Sequence, residues 1–277
     1  MSLGQGAGMK HLLISAALTI ATIGAAGAGE ITRDDLANLP KADVIVLGEV
    51  HDNGAHHLGQ AAALAGINPS AVVFEMLSPK QAALITPEVL QDQAALAAAL
   101  EWDDSGWPDF ALYYPVFAAL GAARVYGAAR PRDQVRRSFS EGAAAVFGAG
   151  ADQFGLDQAL PKAQLQERLQ AQFEAHCEAM PLEMMGGMVE AQRFRDAAFA
   201  DVVARAYEAD GGPVVLIAGN GHARRDWGVP AVLAVAMPEL KVLSVGHLEA
   251  PVDEEPPFDL WLLTKAAARE DPCLAFK

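Results

Sequence analysis

Two Gly-x-x-His tetrapeptides, Gly48-Glu49-Val50-His51 and Gly219-Asn220-Gly221-His222, carry residue types able to do proton chemistry. An imidazole and a carboxylate held together can take up and return a proton near neutral pH, orient a water, or ligate a metal. Phe74-Glu75-Met76 adds a third candidate position. Water, and not a covalent side chain, would be the attacking group. The chain has no Gly-x-Ser-x-Gly elbow, and neither cysteine has the setting of an activated thiol. As a hydrolase, His51 or Glu49 would act as general base, with His222 and Glu75 orienting it or stabilising charge. The same four residues, Glu49, His51, Glu75 and His222, make a mixed nitrogen and oxygen set that suits Zn, Mn or Co, although their spacing follows no short zinc motif.

The elements that must position these residues are apolar runs. Residues 42–47, 71–75 and 213–218 are short, β-branched and bounded by Gly or Pro, as strands covered on both faces are. Glu49 and His51 follow the first run, Glu75 ends the second, and His222 follows the third. If these strands are parallel, all four side chains stand at one carboxyl edge, where α/β sheets bind ligands. Further strands are expected at 123–127, 240–245 and 258–263, with helices at about 54–65, 79–100 (broken near Pro87) and 109–121. Asp52 or Asn53 would cap the first helix. The alternation predicts an α/β fold with a mostly parallel sheet flanked by helices. Residues 131–210 are too many for one crossover helix. They predict a helical lid subdomain inserted between strands three and four and packed over the sheet edge. Within it, Gln192 and Asp196 share a helix face at i and i+4, beside Arg195, and Met180, Met184, Met185 and Met188 give an adaptable apolar surface.

Composition narrows the partners. The 277 residues are 52% hydrophobic with a net charge of −15, enough for one large core and without the basic face that nucleic acid requires. Met9-Lys10-His11, the apolar stretch Leu12 to Ala26 and Ala26-Gly27-Ala28 read as a signal peptide cleaved after Ala28, giving residues 29–277 as one exported, periplasmic domain. No later stretch is apolar and long enough to span a membrane. In an exported chain the pair Cys177 and Cys273 is expected to form a disulfide.

The ordered set of motifs resembles the ChaN-like haem-binding family of the Tiki superfamily. The matching stretches are Val46-Leu47-Gly48-Glu49-Val50-His51-Asp52-Asn53, Val73-Phe74-Glu75-Met76, Trp107 with Tyr114-Pro115, Ala129-Arg130-Pro131-Arg132-Asp133, Ala191-Gln192-Arg193-Phe194-Arg195-Asp196 and Ala218-Gly219-Asn220-Gly221-His222. The resemblance spans about residues 40–247. It implies an exported α/β protein with a helical subdomain, binding haem in iron uptake, held between the lid and a homodimer partner. Related branches are hydrolases, among them Tiki-type metalloproteases and erythromycin-esterase-like enzymes, so a water-activating hydrolase is the alternative. The family's haem ligand is a tyrosine. Tyr113, Tyr114, Tyr126 and Tyr207 are the candidates here, and none aligns with that position. Arg132, Gln192, Asp196 and Asn220 are the expected binding residues. Haem wants mostly apolar walls, so the Glu/His cluster is expected to be a separate, hydrolase-like site.

Overall fold

The computed structural model describes residues 1, 4, 28–252, 254–271 and 273–274. The expected targeting stretch, Met9 to Ala26, lies outside them. The strands are β1 (Gly29–Glu30), β2 (Val44–Leu47), β3 (Ala71–Phe74), β4 (Arg124–Gly127), β5 (Val214–Ile217), β6 (Val242–Glu249) and β7 (Leu260–Thr264). They form one sheet of order β1-β7-β6-β2-β5-β3-β4, parallel at every pairing. The helices are α1 (Gly54–Ile67), α2 (Pro79–Ala82), α3 (Gln93–Ala99), α4 (Phe110–Ala118), α5 (Arg132–Glu141), α6 (Ala143–Phe147), α7 (Lys162–Ala175), α8 (Met185–Asp210), α9 (Asn220–Ala223) and α10 (Val229–Ala236).

Strand alternation sorts the core into two layers. Val44, Val46, Val73, Val214 and Leu216 face α8 and α10 through Phe194, Phe199, Val203 and Leu233. Ile45, Leu47, Val72, Phe74, Val215 and Ile217 face α1, α3 and α4 through Leu64, Leu96, Tyr113 and Phe117. All twelve residues of β2, β3 and β5 are buried, which is why these strands read as unbroken apolar runs. Each large aliphatic among them stabilises by about 1.5–3 kcal/mol. The register sets Leu47 and Phe74 on either side of Ile217, so the three chains leave the sheet side by side.

Local chemistry explains the helix starts. Asn53 caps α1, accepting from the Ala55 amide, and Ser78 with Gln81 forms a reciprocal capping box on α2. The expected helix over 79–100 is two short ones, because Pro87 and the Asp92 cap of α3 intervene. The inserted segment also differs from expectation. Its longest element, α8, lies on the sheet face as the crossover into β5, and α5, α6, α7 and α10 pack against it. Its face is continuous with the core, and that burial outweighs any placement across the edge. α8 therefore supplies a wall of the site.

Cys177, just past α7, and Cys273 near the C-terminus are joined, with Cα atoms 5.4 Å apart and a sequence separation of 96. Closing so long a loop is worth about 3–5 kcal/mol on the chain-entropy account. Thiol titration of the denatured, unreduced chain should return none, and reduction should lower stability by that amount. Two reactive thiols before reduction would contradict the pairing. No helix of the described residues is long and apolar enough to cross a membrane.

Candidate functional site

The carboxyl edge gathers three chain turns around Gly219. Beyond β2, Glu49 turns inward and is 2% exposed. It accepts hydrogen bonds from Tyr113 Oη (2.7 Å), Gln60 Nε2 (2.8 Å) and His51 Nδ1 (2.8 Å). His57, 3.5 Å from it, donates through Nε2 to the His51 carbonyl. Burial works against the Glu49 charge, but the hydrogen bonds and charges of His51 and His57 outweigh it and hold the carboxyl well below its usual range. Burial likewise works against protonated His51, yet Glu49 and Glu75 together push its pKa up. With Nδ1 spent on Glu49, His51 Nε2 has no hydrogen-bond partner among the described residues. The side chain is 36% exposed, and its ring stands edge-on to Trp107 at 4.8 Å.

Beyond β3, Glu75 is equally buried. It pairs with Arg195 of α8 and accepts the Gly219 amide at 2.7 Å. Burial opposes its charge, and His222, Arg195 and His51 overcome that and lower its pKa. Beyond β5, His222 donates from Nδ1 to Asp196 at 2.6 Å and brings Nε2 within 3.6 Å of Glu75. Two carboxylate–imidazole pairs thus flank one buried carboxylate.

The glycines of both tetrapeptides are required by this crowding. The His51 ring lies 3.0 Å from where a Gly219 side chain would begin, and the Asn220 carboxamide fills the corresponding place at Gly48. Asn220 is not a binding residue in this geometry. Its amide clamps β6, donating to the His247 carbonyl at 2.6 Å. Gln192 and Asp196 stand behind His222 and orient it; Asp196 is fully buried.

A cleft of about 730 Å³ opens in front of Glu75. Trp107, Phe199, Met76 and Val135 give apolar wall, and Arg130, Arg132, Arg136 and Arg195 give four cations in a chain of net charge −15. Arg132 is steadied by the Ser105 carbonyl at 2.9 Å, and Arg136 has no ion-pair or hydrogen-bond partner among the described residues. Glu75 and Arg195 line this cleft, so it abuts the Glu/His cluster through Glu75, whereas Glu49, His51 and His222 are not among its lining residues. Arg136 is a functional candidate that the motif reading passed over, and Arg130 and Arg195 stood in its matched stretches without a role. The signal for Arg136 was available: Arg132 and Arg136 are four apart at a helix start, in an acidic chain.

The four tyrosines go elsewhere. Tyr113 is fully buried against Glu49, and that burial and charge push its phenol far up. Tyr114 donates to the Leu90 carbonyl and Tyr126 to Asp210, whereas Tyr207 lies at the opposite, amino-terminal edge beside Gly212. None lines the cleft. Nor do Glu49, His51, Glu75 and His222 fit a shared divalent ion. Among the described residues no three acidic, His or Cys groups are placed to hold one. The carboxylate oxygens face guanidinium, phenol, amide and imidazole partners instead.

Concave sites at the carboxyl edge of parallel sheets take small ligands, and this protein belongs to that class by fold and site. Its family follows from sequence: the chain belongs to the haem-binding uptake family of the Tiki superfamily, ChaN, whose model matches residues 36–233. Among solved structures it is similar to ChaN of Campylobacter jejuni, described with cofacial haem binding, at 21% identity and a TM-score of 0.58, over 81% of this chain and 89% of that one. That likeness extends the shared fold to most of both chains. A weaker likeness, TM-score 0.43 at 13% identity over 85% of this chain and 92% of the other, joins it to the type III effector HopBA1. No curated protein matches the chain in sequence.

Proposed function

We propose that this is an exported haem-binding protein of iron uptake, and that haem occupies the arginine-lined cleft. The observation that carries the reading is the pairing of aromatic wall with guanidiniums in that cleft, of which Arg132 and Arg136 have no ion-pair partner among the described residues while Arg195 pairs with Glu75 and Arg130 with Asp201. Haem is a large planar ring with two carboxylates, and its iron takes an axial donor. The cleft volume is within the range of small-molecule sites. Trp107 and Phe199 are suited to the ring, and Arg132 and Arg136 to the propionates. The buried Nε of Arg130 has no partner among the described residues, although its Nη2 lies 3.6 Å from Asp201. Export rests on the signal-peptide reading of Met9 to Ala28.

His51 is the axial donor best supported by the geometry: it is not itself among the residues lining the cleft, but its ring stands against Trp107, which is. The His51 Nδ1 is fixed by a buried carboxylate and its Nε2 has no partner among the described residues, which is how metal-ligating imidazoles are held. Hemin titration should give a saturable Soret band that shifts or weakens in His51→Ala and stays in Tyr114→Phe. Because Glu49 and Glu75 raise the His51 pKa, ligation competes with a proton, and the band should strengthen as pH rises from about 6.5. An unchanged band in His51→Ala would remove His51 from the ligand role. No saturable binding would end the haem reading.

The same Nε2 favours one second reading, a hydrolase in which His51 takes a proton from water beside Glu75. Turnover of an ester or peptide substrate that is lost in both His51→Ala and His222→Ala, with no hemin affinity, would select it.

A further inference from the structure

Behind His222, on the far side from the cleft, lies a second cavity of about 190 Å³ between α7, α8 and α10. Its wall is largely apolar, with Phe154, Leu156, Trp227 and Val232. Two buried polar atoms break that wall. Asp196 is fully buried, and its Oδ1 receives the His222 proton at 2.6 Å, whereas Oδ2 has no partner among the described residues. Arg168 is 8% exposed, its Nη2 donates to the Trp227 carbonyl at 3.3 Å, and its Nε–H has no partner among the described residues. The other polar neighbours are satisfied: Arg193 is spent on Glu190 and on the carbonyls of Gly155, Leu156 and Gln158, Asp226 accepts from Arg224, and Gln164 donates to the Asp226 carbonyl. Buried donors and acceptors without partners are costly and uncommon, and an acceptor and a donor on one cavity wall define complementary ligand chemistry.

We propose that this cavity is a binding site for a small neutral amphiphile of about ten heavy atoms or fewer, carrying a primary carboxamide on an apolar or single-ring body. Its carbonyl would accept from Arg168 Nε–H, its NH₂ would donate to Asp196 Oδ2, and its body would lie against Trp227 and Leu156. A carboxylate ligand suits the site less, because it would face Asp196 without a proton to give. An apolar molecule would leave both orphan atoms unpaired.

The site is joined to the cleft by a short chain of contacts. A ligand on Asp196 Oδ2 competes for the carboxylate that orients His222, and His222 stands 3.6 Å from Glu75 in the cleft wall. Occupancy of the two sites is therefore coupled, and by linkage the coupling is reciprocal.

Benzamide is the probe. Calorimetric titration of the full chain should show one saturable site with Kd of about a millimolar or below, as expected for so few atoms. Toluene and benzoate should bind at least tenfold more weakly. Val232→Phe fills the cavity without touching the polar pair, and Arg168→Met removes the donor; both should weaken benzamide at least tenfold while circular dichroism stays that of the parent. If Arg168→Met fails to fold, Val232→Phe alone decides. No saturable benzamide binding, equal binding of toluene, or undiminished binding by folded Val232→Phe would each overturn the proposal. The haem reading does not enter these outcomes, since hemin need not be present.

Discussion

Glu49→Ala should destabilise the folded chain by about 3–5 kcal/mol, the range for breaking a buried charged network by removing one partner. The carboxylate is the common acceptor for Tyr113, Gln60 and His51, with His57 alongside, and three of these groups are fully buried. Deleting it leaves the Tyr113 phenol without its acceptor, the Gln60 amide with only its 3.3 Å bonds to the Leu47 and Gly48 carbonyls, and a buried imidazole whose protonated form the carboxylate favours. Glu49→Gln keeps an acceptor oxygen for Tyr113 and should cost less. Guanidinium denaturation followed by circular dichroism measures both. A Glu49→Ala loss under about 1 kcal/mol would mean that the network is solvated or rearranges, and with it the anchoring of His51.

Acid should act on a second buried pair. His56 and His247 are fully buried, 5.8 Å apart between ring centroids. His56 accepts the Val50 amide on Nδ1 and meets Thr264 Oγ1 through Nε2, which fixes a neutral tautomer. His247 donates Nδ1 to the Gly48 carbonyl, and its Nε2 has no partner among the described residues. Burial lowers each pKa to about 4. The sign follows from proton counts. Between 6.5, the unfolded value, and about 4, the unfolded chain binds protons that the folded chain refuses, so stability falls as pH falls through that window. A drop of about 2.5 units corresponds to roughly 3 kcal/mol per residue. His51 and His57 shift the other way and offset part of it. The comparison is therefore with His56→Gln: between pH 7 and 4 the parent should lose about 2–4 kcal/mol more than the variant. Parallel pH profiles would show that His56 charges freely in the folded state.

Much of this site was legible because β strands carry it. Unbroken apolar runs ending in Gly48, Glu75 and Gly219 place polar residues at one sheet edge wherever pairing is parallel, and the register of β2, β5 and β3 does so. The two-residue β1 has no pattern to read; it exists because β7 offers it an edge. The geometry of α8 was not readable either. A helix with apolar residues over half its turns suits a lid or a crossover alike, and its packing on β3 and β5 decides between them. The tyrosines failed for another reason. A phenol in a sequence gives no sign of its hydroxyl's partner, and Glu49, Leu90 and Asp210 had already taken three of the four. The arginines of the cleft were visible as Arg130, Arg132 and Arg136, but what makes them a site is the convergence of Trp107, Phe199 and Arg195 from distant segments.

The measurement that bears most directly on the central claim is the hemin affinity of Arg132→Gln/Arg136→Gln, read from Soret titration at low and physiological salt. Both side chains are solvent-facing, so the fold should be undisturbed, and neither belongs to the buried carboxylate network. If the propionates lie on these guanidiniums, Kd should rise at least about tenfold, equivalent to 1.4 kcal/mol, and most of the salt dependence seen in the parent should disappear. An unchanged Kd with unchanged salt dependence would place haem outside the cleft.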